Sequence, residues 1–430
     1  MARPWLKRVG IALGLLFIIA AATMAVFRLN LDAIPLYRQP SPQAAKGQEG
    51  CTAKIGIVHP LTSASLKAAG TEVLSAYELA RDEINAGGVG GCQLQLVIED
   101  DGGIAEKSRA ATRVLIDDEK VPVVVSTLLS DGTLAMSLEA NKRATPLLVH
   151  VSGSPLITGS GFEWVFRVTA DQVAEVSASL DFLASISETL PLPSLAVIYA
   201  NDFTSMGRAT ILTTEAAARG YRLVAYEAIE SGSSDFSADI ARVRQASPDV
   251  LFLATTSLDD AVLIVRQIGK SGWSPMAMIG LGGAFTIPDF VKSGSQTEYF
   301  LGVMSWASDA SWRDETGRSS RDFIRNYEER FGTPPGNLGV LAYMTLKLAA
   351  SALDKALATP GDDLRAKVRR ALRQIDGQNS LIGPIKFDRR GQNQRRPLVV
   401  QVIGEEYVTV YTEGAGARLA IVPVPPFHER

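Results

Sequence analysis

Few side chains in this sequence can bind a metal or act as a nucleophile. Only two cysteines and three histidines occur among its 430 residues, and neither a CxxC pair nor a Cys/His spacing typical of a zinc or redox site is present. The sequence also lacks a GxSxG elbow, a P-loop lysine motif and an HExxH motif. These absences argue against an enzyme, and we predict no cofactor and no metal.

Charge of one sign is not in excess either. The chain has 43 basic and 46 acidic side chains, so its net charge is −3. Proteins that bind nucleic acid usually present a basic face, and no cluster of lysine and arginine with interleaved aromatic residues is visible here. We therefore exclude nucleic acid as a partner.

The N-terminus has the pattern of an export segment. Arg3, Lys7 and Arg8 precede an uncharged apolar stretch at residues 9–27, close to the ~20 residues that span a bilayer. Basic residues before such a stretch keep the N-terminus in the cytoplasm and place the rest of the chain outside. Residues 1–28 are either an uncleaved signal anchor, which holds the protein in the cell membrane through residues 9–27, or a removed signal peptide.

The two cysteines fit an extracytoplasmic protein. Cys51 precedes the first predicted strand and Cys92 the second, so both lie at the same end of two neighbouring parallel strands. Neighbouring strands are about 4.8 Å apart, within reach of a disulfide, and disulfides persist outside the cytoplasm. We predict a disulfide between Cys51 and Cys92; the alternative is a pair of buried free thiols.

Residues 54–101 have the pattern of a strand, a helix and a second strand. KIGIV is apolar on both faces, as in a parallel strand that is covered on both sides. Val73, Tyr77, Ala80 and Ile84 then recur at helical spacing, glycines follow, and QLQLVIED begins with strand alternation. A right-handed crossover makes the two strands parallel neighbours.

The same alternation continues along most of the chain and predicts an α/β fold. It restarts after FRVTADQ, so we predict two doubly wound lobes with parallel sheets, joined by a hinge that the chain crosses several times. PLVVQVIGEEYVTVYT is typical of an antiparallel hairpin. The predicted domains are a signal segment (1–28), a linker (29–50), a first lobe (51–170 plus 305–378), a second lobe (171–304 plus 379–412) and a tail (413–430).

Loops at the carboxyl ends of the predicted strands are rich in serine, threonine and glycine. Ligands of open α/β sheets bind at this edge, and N–H groups at helix starts can hold a carboxylate. Each serine or threonine taken singly is explained as well by a helix N-cap, so the prediction of a ligand site rests on their collective placement. The loops are residues 61–66 with Ser65, 127–132, 152–154, 200–205, 255–258 and 281–285.

Two histidines, His59 and His150, end predicted strands of the first lobe. Their positions raise the hypothesis of a shared metal or a catalytic base. With one strand between them, the two residues would be about 10 Å apart at the backbone. We therefore favour a structural role for each.

Several blocks of sequence together resemble the periplasmic leucine/isoleucine/valine-binding protein family, the substrate-binding components of ABC importers. The resemblance covers residues 51–412, in the order and spacing of the family. It implies a type I periplasmic-binding fold with two lobes, three crossovers and a ligand held in the cleft by closure. The blocks are IGIVHPLT, AYELARDEINAGGVGG, LQLVIEDD, VFRVTADQ, VIYANDFTSMG, SSDFSADIARVRQASPDVLFLA, RQIGKSGW and IGPIKFDRRG.

The resemblance also implies ligand residues on the first lobe. In amino-acid binders of the family, a serine pair and a later small residue help to hold the carboxylate and amino group of the ligand. By position these match Ser130 and Asp131, then Ser152 or Gly153.

On the second lobe the sequence departs from the family pattern. Two aromatic residues of the family match Thr204 and Thr256, and the acid that pairs with the ligand's ammonium group matches Gly282. A buried ammonium without a carboxylate is costly. Either Asp131 supplies that charge to a reversed ligand, or the ligand is not an α-amino acid, or binding has been lost.

The sequence thus predicts an extracytoplasmic solute-binding protein of an ABC importer, with ABC permease subunits as its partners. Its ligand would be an amino acid, an amide or a related organic acid, bound in the interlobe cleft by hinge closure. The alternative is a membrane-tethered sensing or regulatory module of the same fold, which signals closure to a membrane sensor.

Overall fold

The computed structural model describes residues 50–187, 192–412 and 417–430. The predicted membrane segment at residues 9–27 and the linker up to residue 49 lie outside these ranges. Within the described ranges, no helix is both long enough and apolar enough to cross a membrane.

Strands and helices alternate through the described part of the chain. In chain order, the strands are β1 (Thr52–His59), β2 (Gln93–Asp100), β3 (Val124–Val125), β4 (Leu147–Val149), β5 (Val165–Arg167), β6 (Leu195–Ala200), β7 (Leu223–Ile229), β8 (Val250–Ala254), β9 (Ala277–Leu281), β10 (Leu301–Met304), β11 (Asp376–Gln378), β12 (Ile385–Lys386), β13 (Leu398–Ile403) and β14 (Glu406–Tyr411). The α-helices are α1 (Lys67–Asn85), α2 (Ala105–Arg113), α3 (Ser130–Lys142), α4 (Leu156–Gly159), α5 (Gln172–Ile186), α6 (Phe203–Ala218), α7 (Ser237–Gln245), α8 (Leu258–Lys270), α9 (Pro288–Val291), α10 (Ser320–Phe331), α11 (Asn337–Leu357) and α12 (Leu364–Arg373).

The first sheet has five parallel strands in the order β2-β1-β3-β4-β5. Ile57 and Val58 of β1 are fully buried in two different apolar clusters, because successive side chains of a strand point to opposite faces of the sheet. The pattern of the sequence predicts four strands here, and Val165–Arg167 is a fifth. Three residues are too few to show strand alternation.

The helices of the first lobe come from two distant parts of the chain. Helices α1 to α4 follow the strands of the first sheet, whereas α10, α11 and α12 come after the strands of the second. Helix α11 packs against α1, β3 and β4, and α12 packs against α11. Tyr77 of α1 and Tyr343 of α11 are both fully buried. The late helices therefore complete the core of the first lobe.

The second sheet has seven strands in the order β14-β13-β10-β9-β8-β6-β7. Strands β6 to β10 pair in parallel, and the predicted hairpin, β13–β14, adds two antiparallel strands at one edge. Helices α5, α6 and α7 pack on this sheet. The predicted α/β class with two parallel-sheet lobes is confirmed, while the exact lobe boundaries stay a prediction.

The chain passes between the two sheets at three places, and these crossover segments are hydrogen-bonded to one another. They lie before α5, after β10 and before β13. Gln392 Nε2 donates to the Thr169 carbonyl at 2.9 Å, and Asn393 Nδ2 donates to the Val168 carbonyl at 2.8 Å. Thr169 Oγ1 lies 3.1 Å from Ser305 Oγ. The three crossovers thus form one hinge region.

The proline-rich C-terminus packs on the second lobe. The Val424 N–H donates to the Met276 carbonyl at 2.9 Å. Ile421 exchanges two hydrogen bonds with the side chain of Gln401 in β13. These hydrogen bonds are isolated and do not belong to a helix or a strand. The sequence of the tail therefore shows no helix or strand periodicity.

Cys51 and Cys92 form the predicted disulfide, with their Cα atoms 4.8 Å apart. They lie directly before β1 and β2, which pair from Thr52 and Gln93 onward. The bond therefore joins the first two strands at the edge of the sheet opposite the predicted ligand-binding loops.

Candidate ligand site between the two lobes

The carboxyl ends of both sheets border a cavity of about 70 Å³ between the two lobes. Asp131, half-buried in the first turn of α3, is not among the lining residues, so the structure does not bring its carboxylate to the cavity. The other predicted ligand residues all line the cavity, and their contact with a ligand stays a prediction. They are Ser65, Ser130, Ser152, Gly153, Thr204, Thr256 and Gly282.

Ser130, the first residue of α3, is held by contacts from both lobes. Its Oγ accepts a hydrogen bond from the Ser154 N–H at 3.2 Å. Its own N–H donates to Thr204 Oγ1 of the second lobe at 3.4 Å. The hydroxyl at this helix start is therefore engaged with the protein, and the bond to Thr204 joins the two lobes beside the cavity.

Ser152 is engaged in the same way. Its Oγ lies 2.7 Å from Thr133 Oγ1 and 3.1 Å from the Leu128 carbonyl oxygen. Next to it, the Gly153 carbonyl accepts from the Gln172 N–H of α5 at 2.8 Å. The hydroxyl groups predicted to hold a ligand on the first lobe thus hold the loops of that lobe in place.

The second-lobe wall is built from the starts of α6 and α8 and from the loop after β9. Asp202 caps α6, because its carboxylate accepts from the N–H groups of Thr204 and Ser205, both at 2.9 Å. Thr256 lies half-buried in the loop before α8. Gly282 has a φ of +116°, a backbone conformation that glycine adopts readily and other residues do not. Backbone geometry therefore favours glycine at position 282.

Arg208 of α6 lines the cavity and is not among the ligand residues predicted from the sequence. Its side chain is buried, and its Nε donates to Glu175 Oε2 at 2.9 Å. Glu175 lies in the first turn of α5 and also lines the cavity. Arg208 follows Thr204 by four residues and so lies on the same helical face. That spacing is the sequence signal that points to it.

The remainder of the wall is largely apolar. None of the lining residues in the described part of the chain is aromatic. An apolar wall with a few convergent polar groups is typical of a small-molecule site. The larger apolar residues are Leu66, Leu128, Leu258, Ile287, Met304 and Leu338.

His59 and His150 lie in the core of the first lobe rather than at the cavity. The ring of Tyr77 is 6.4 Å from that of His59 and 5.8 Å from that of His150, between centroids. His59 Nε2 is 2.9 Å from the Gly70 carbonyl oxygen, and His150 Nδ1 is 3.2 Å from Ser126 Oγ. Burial lowers the pKa of both rings, that of His150 to about 3. Across the described ranges, no three His, Cys, Asp or Glu side chains are placed to hold a metal.

Comparison with known proteins gives this architecture a family. The profile of the family described as "Periplasmic binding protein" matches residues 52–406. A curated relative, "Leu/Ile/Val-binding protein homolog 8" of Brucella abortus, is 26% identical over 377 residues, which cover 84% of this chain and 91% of that protein.

Two solved structures have the same fold. LivJ of Streptococcus pneumoniae, a branched-chain amino acid transporter substrate-binding protein in complex with isoleucine, has a TM-score of 0.71 at 22% identity and covers 83% of this chain and 99% of its own. A solute-binding protein of an ABC transporter from R. palustris, in complex with benzoate, has a TM-score of 0.74 at 19% identity and covers 86% of this chain and 99% of its own. The resemblance seen in the sequence is confirmed, and this chain belongs to the periplasmic binding protein family, a family of substrate-binding proteins rather than enzymes.

Proposed function

We propose that this protein is the extracytoplasmic solute-binding component of an ABC importer. The observation that carries the proposal is the cavity between the lobes, which lies at the carboxyl ends of both sheets and next to the hinge region. A ligand that contacts both walls favours the closed arrangement, and no covalent chemistry is required. A membrane permease then recognises the closed form.

The ligand is a small molecule from the class of amino acids, amides and related organic acids. The apolar wall suits a hydrocarbon body, and the Arg208–Glu175 pair supplies polar partners. The neighbouring structures support this range, since one holds isoleucine and another holds benzoate.

Binding is tested by thermal unfolding of the full chain with amino acids, amides, and aromatic and aliphatic acids. A ligand at a hundred times its Kd is expected to add about 2.7 kcal/mol to the free energy of unfolding. Gly283→Leu should remove this gain, because its side chain enters the cavity with Leu338 as the nearest neighbour of the Cβ, at 3.6 Å. Gly159→Leu, on the exposed side of α4 with nothing within 4 Å of the Cβ, is the matched control. A gain that survives Gly283→Leu places the ligand elsewhere.

A second candidate is a membrane-tethered sensing module of the same fold. It is favoured by the basic residues Arg3, Lys7 and Arg8 before the apolar stretch at residues 9–27, which as an uncleaved anchor would hold the ligand-binding domain at the cell membrane. The mass of the mature protein tells a retained segment from a removed one. Loss of ligand uptake in cells without the protein supports import, whereas unchanged uptake with loss of a ligand-dependent response supports sensing.

A further inference from the structure

The cavity wall contains the ion pair Arg208–Glu175, in which the arginine does not use all of its hydrogen-bond donors. Arg208 is 4% exposed, and its side chain donates from Nε to Glu175 Oε2. Within the described ranges, its terminal nitrogens Nη1 and Nη2 have no hydrogen-bond acceptor. A guanidinium fork matches the two oxygens of a carboxylate. We propose that the ligand is a carboxylate whose oxygens bind Nη1 and Nη2 of Arg208; this proposal rests on the solute-binding function proposed above.

The position of the guanidinium fits this role. Glu175 holds the Nε side, so the fork of terminal nitrogens is left for another partner. A Cβ added at Gly282 would lie 3.3 Å from Arg208 Cζ and 3.4 Å from Nη1, and one added at Gly153 would lie 3.5 Å from Nη2. The guanidinium therefore lies between the two lobes, bordered by one glycine from each. Larger side chains at these two positions would cover it.

Arg208 supplies the positive charge with which the wall can balance an acid group. Among the described lining residues, Arg208 is the only basic one and Glu175 the only acidic one. On the first lobe, the hydroxyl groups of Ser130 and Ser152 already have protein partners. The positive charge that can pair with a carboxylate therefore lies on the second lobe.

Two kinds of ligand share this chemistry. One is a plain carboxylate with an apolar body. The other is an amino acid whose ammonium group binds Glu175, since Glu175 Oε1 has no hydrogen-bond donor among the described residues. Both place the hydrocarbon part against the apolar wall, which includes Leu128, Leu258 and Ile287.

The test is titration calorimetry of the full chain with isoleucine, 4-methylpentanoate and benzoate, and with benzamide as the neutral counterpart of benzoate. At least one carboxylate should bind, and benzamide should bind no more than a hundredth as tightly as benzoate. Arg208→Met should weaken carboxylate binding at least about 30-fold, because a buried charged hydrogen bond is lost. Arg208→Lys keeps the charge without the fork and should give a smaller loss.

The matched control is Arg219→Met. Arg219 also links α6 to α5, through Asp181 at 2.6 Å, but at the other end of α6. The Arg219→Met variant should bind the carboxylate with an affinity within about threefold of that of the unaltered chain. Circular dichroism and the Tm of each unliganded variant report whether the variant is folded. An NMR chemical-shift change at the Arg208 guanidinium, measured when ligand is added to the unaltered chain, gives a readout that needs no variant.

The outcomes separate the two proposals. Full affinity in a folded Arg208→Met variant, or binding of benzamide as tight as that of a benzoate that does bind, overturns the role of Arg208 and leaves the binding function intact. No binding by any of the four compounds contradicts both proposals. Glu175→Gln distinguishes the ligand classes, because it should weaken isoleucine and spare 4-methylpentanoate if the ligand is an amino acid.

Discussion

Glu72 of α1 is a carboxylate buried at the start of helix α11. Its Oε1 accepts from the N–H groups of Gly336 and Gly339. The pKa of Glu72 is raised to about 7, chiefly by burial. The two N–H groups oppose this rise, and nearby Asp289 of the second lobe adds to it. The carboxyl group therefore gains or loses its proton near neutral pH.

Glu72→Gln should remove part of the pH dependence of stability. A raised carboxyl pKa stabilises the folded state fully below about pH 4.5, and this contribution, on the order of 3 kcal/mol, is lost as the pH rises through about 7. The glutamine keeps an acceptor for both N–H groups and has no charge to bury. We expect the variant to be more stable than the unaltered chain at pH 8, with a flatter profile in urea unfolding between pH 4.5 and 8.

The control for this prediction is Glu78→Gln, a half-buried glutamate on the same helix. It removes the same charge from α1 away from the Gly336 and Gly339 N–H groups. Identical pH profiles for Glu72→Gln and the unaltered chain would show that Glu72 is not the group that titrates.

At the residue scale, the sequence predicts the positions of these side chains better than it predicts their hydrogen-bond partners. Because strand ends converge, Ser130, Ser152 and Thr204 line one cavity, and their contact with a ligand stays a prediction. Their hydrogen bonds to Ser154, Thr133 and each other depend on loop conformations that carry no local pattern. The spacing from Thr204 places Arg208 on the cavity side of its helix, but its position beside Gly282 and Gly153, which are distant in sequence, depends on the tertiary fold.

At the scale of elements, Glu139 links α3 to α2 through two arginines of α2, Arg109 and Arg113. Its Oε1 accepts from Arg113 Nη2 and from Arg109 Nε, both at 2.8 Å, and Arg143 also binds it. The hydrogen bonds from Arg113 and Arg109 lower the pKa of Glu139 to about 2, against the opposing effect of burial. The ion pairs therefore stabilise the contact between the helices while the carboxylate is charged.

Glu139→Gln should destabilise the protein at neutral pH. A carboxylate with a lowered pKa contributes its stability above about pH 4.5 and loses it as the pH falls through about 2. The difference between variant and unaltered chain in urea unfolding should therefore be largest near pH 7 and shrink towards pH 2. Glu106→Gln is the control, because Glu106 is 76% exposed and lies 3.7 Å from Arg109. A difference that stays constant with pH would contradict this account.

The Cys51–Cys92 disulfide makes a separate contribution at the edge of the first sheet. Replacing both cysteines by serine opens a loop whose ends are 41 positions apart. In the chain-entropy account, this should lower the free energy of unfolding by about 4 kcal/mol. Guanidinium denaturation of the double variant and of the reduced parent should show the same lowered midpoint. Coincident midpoints before and after reduction would show that the bond adds nothing.

Elements with a clear period are predictable here, and short ones are not. The hairpin β13–β14 and the long helix α11 follow directly from apolar spacing. The strand β5 is three residues long and is recognisable only by its pairing with β4. That pairing depends on the tertiary fold, so a local sequence pattern does not predict it.

At the scale of the molecule, each lobe is built from separate stretches of chain. A chain that ends at Met304 keeps the first sheet but lacks α10 to α12 and the strands β13 and β14. Because the first lobe then exposes the side that α11 covers, we expect no cooperative thermal transition by circular dichroism. A chain that ends at residue 412 lacks just the tail and should unfold cooperatively at a lower Tm. A cooperative transition in the shorter chain would mean that the late helices are dispensable.

The two-lobed architecture itself follows from the sequence, since the strand–helix alternation restarts after the first crossover. The places where the second and third crossovers run are not marked by composition. They are fixed by bonds such as those of Gln392 and Asn393 to the first crossover, which join residues more than two hundred positions apart.

This order of the chain also has a consequence for its synthesis. The first strand to be made, β1, belongs to a lobe whose covering helix, α11, ends at residue 357, and the second sheet waits for β14, which ends at residue 411. A domain that is contiguous in sequence can fold as soon as its own stretch has been made, whereas each lobe of this protein also needs a stretch that is made later. Completion of each lobe during synthesis therefore waits for residues that lie far along the chain from its first strand.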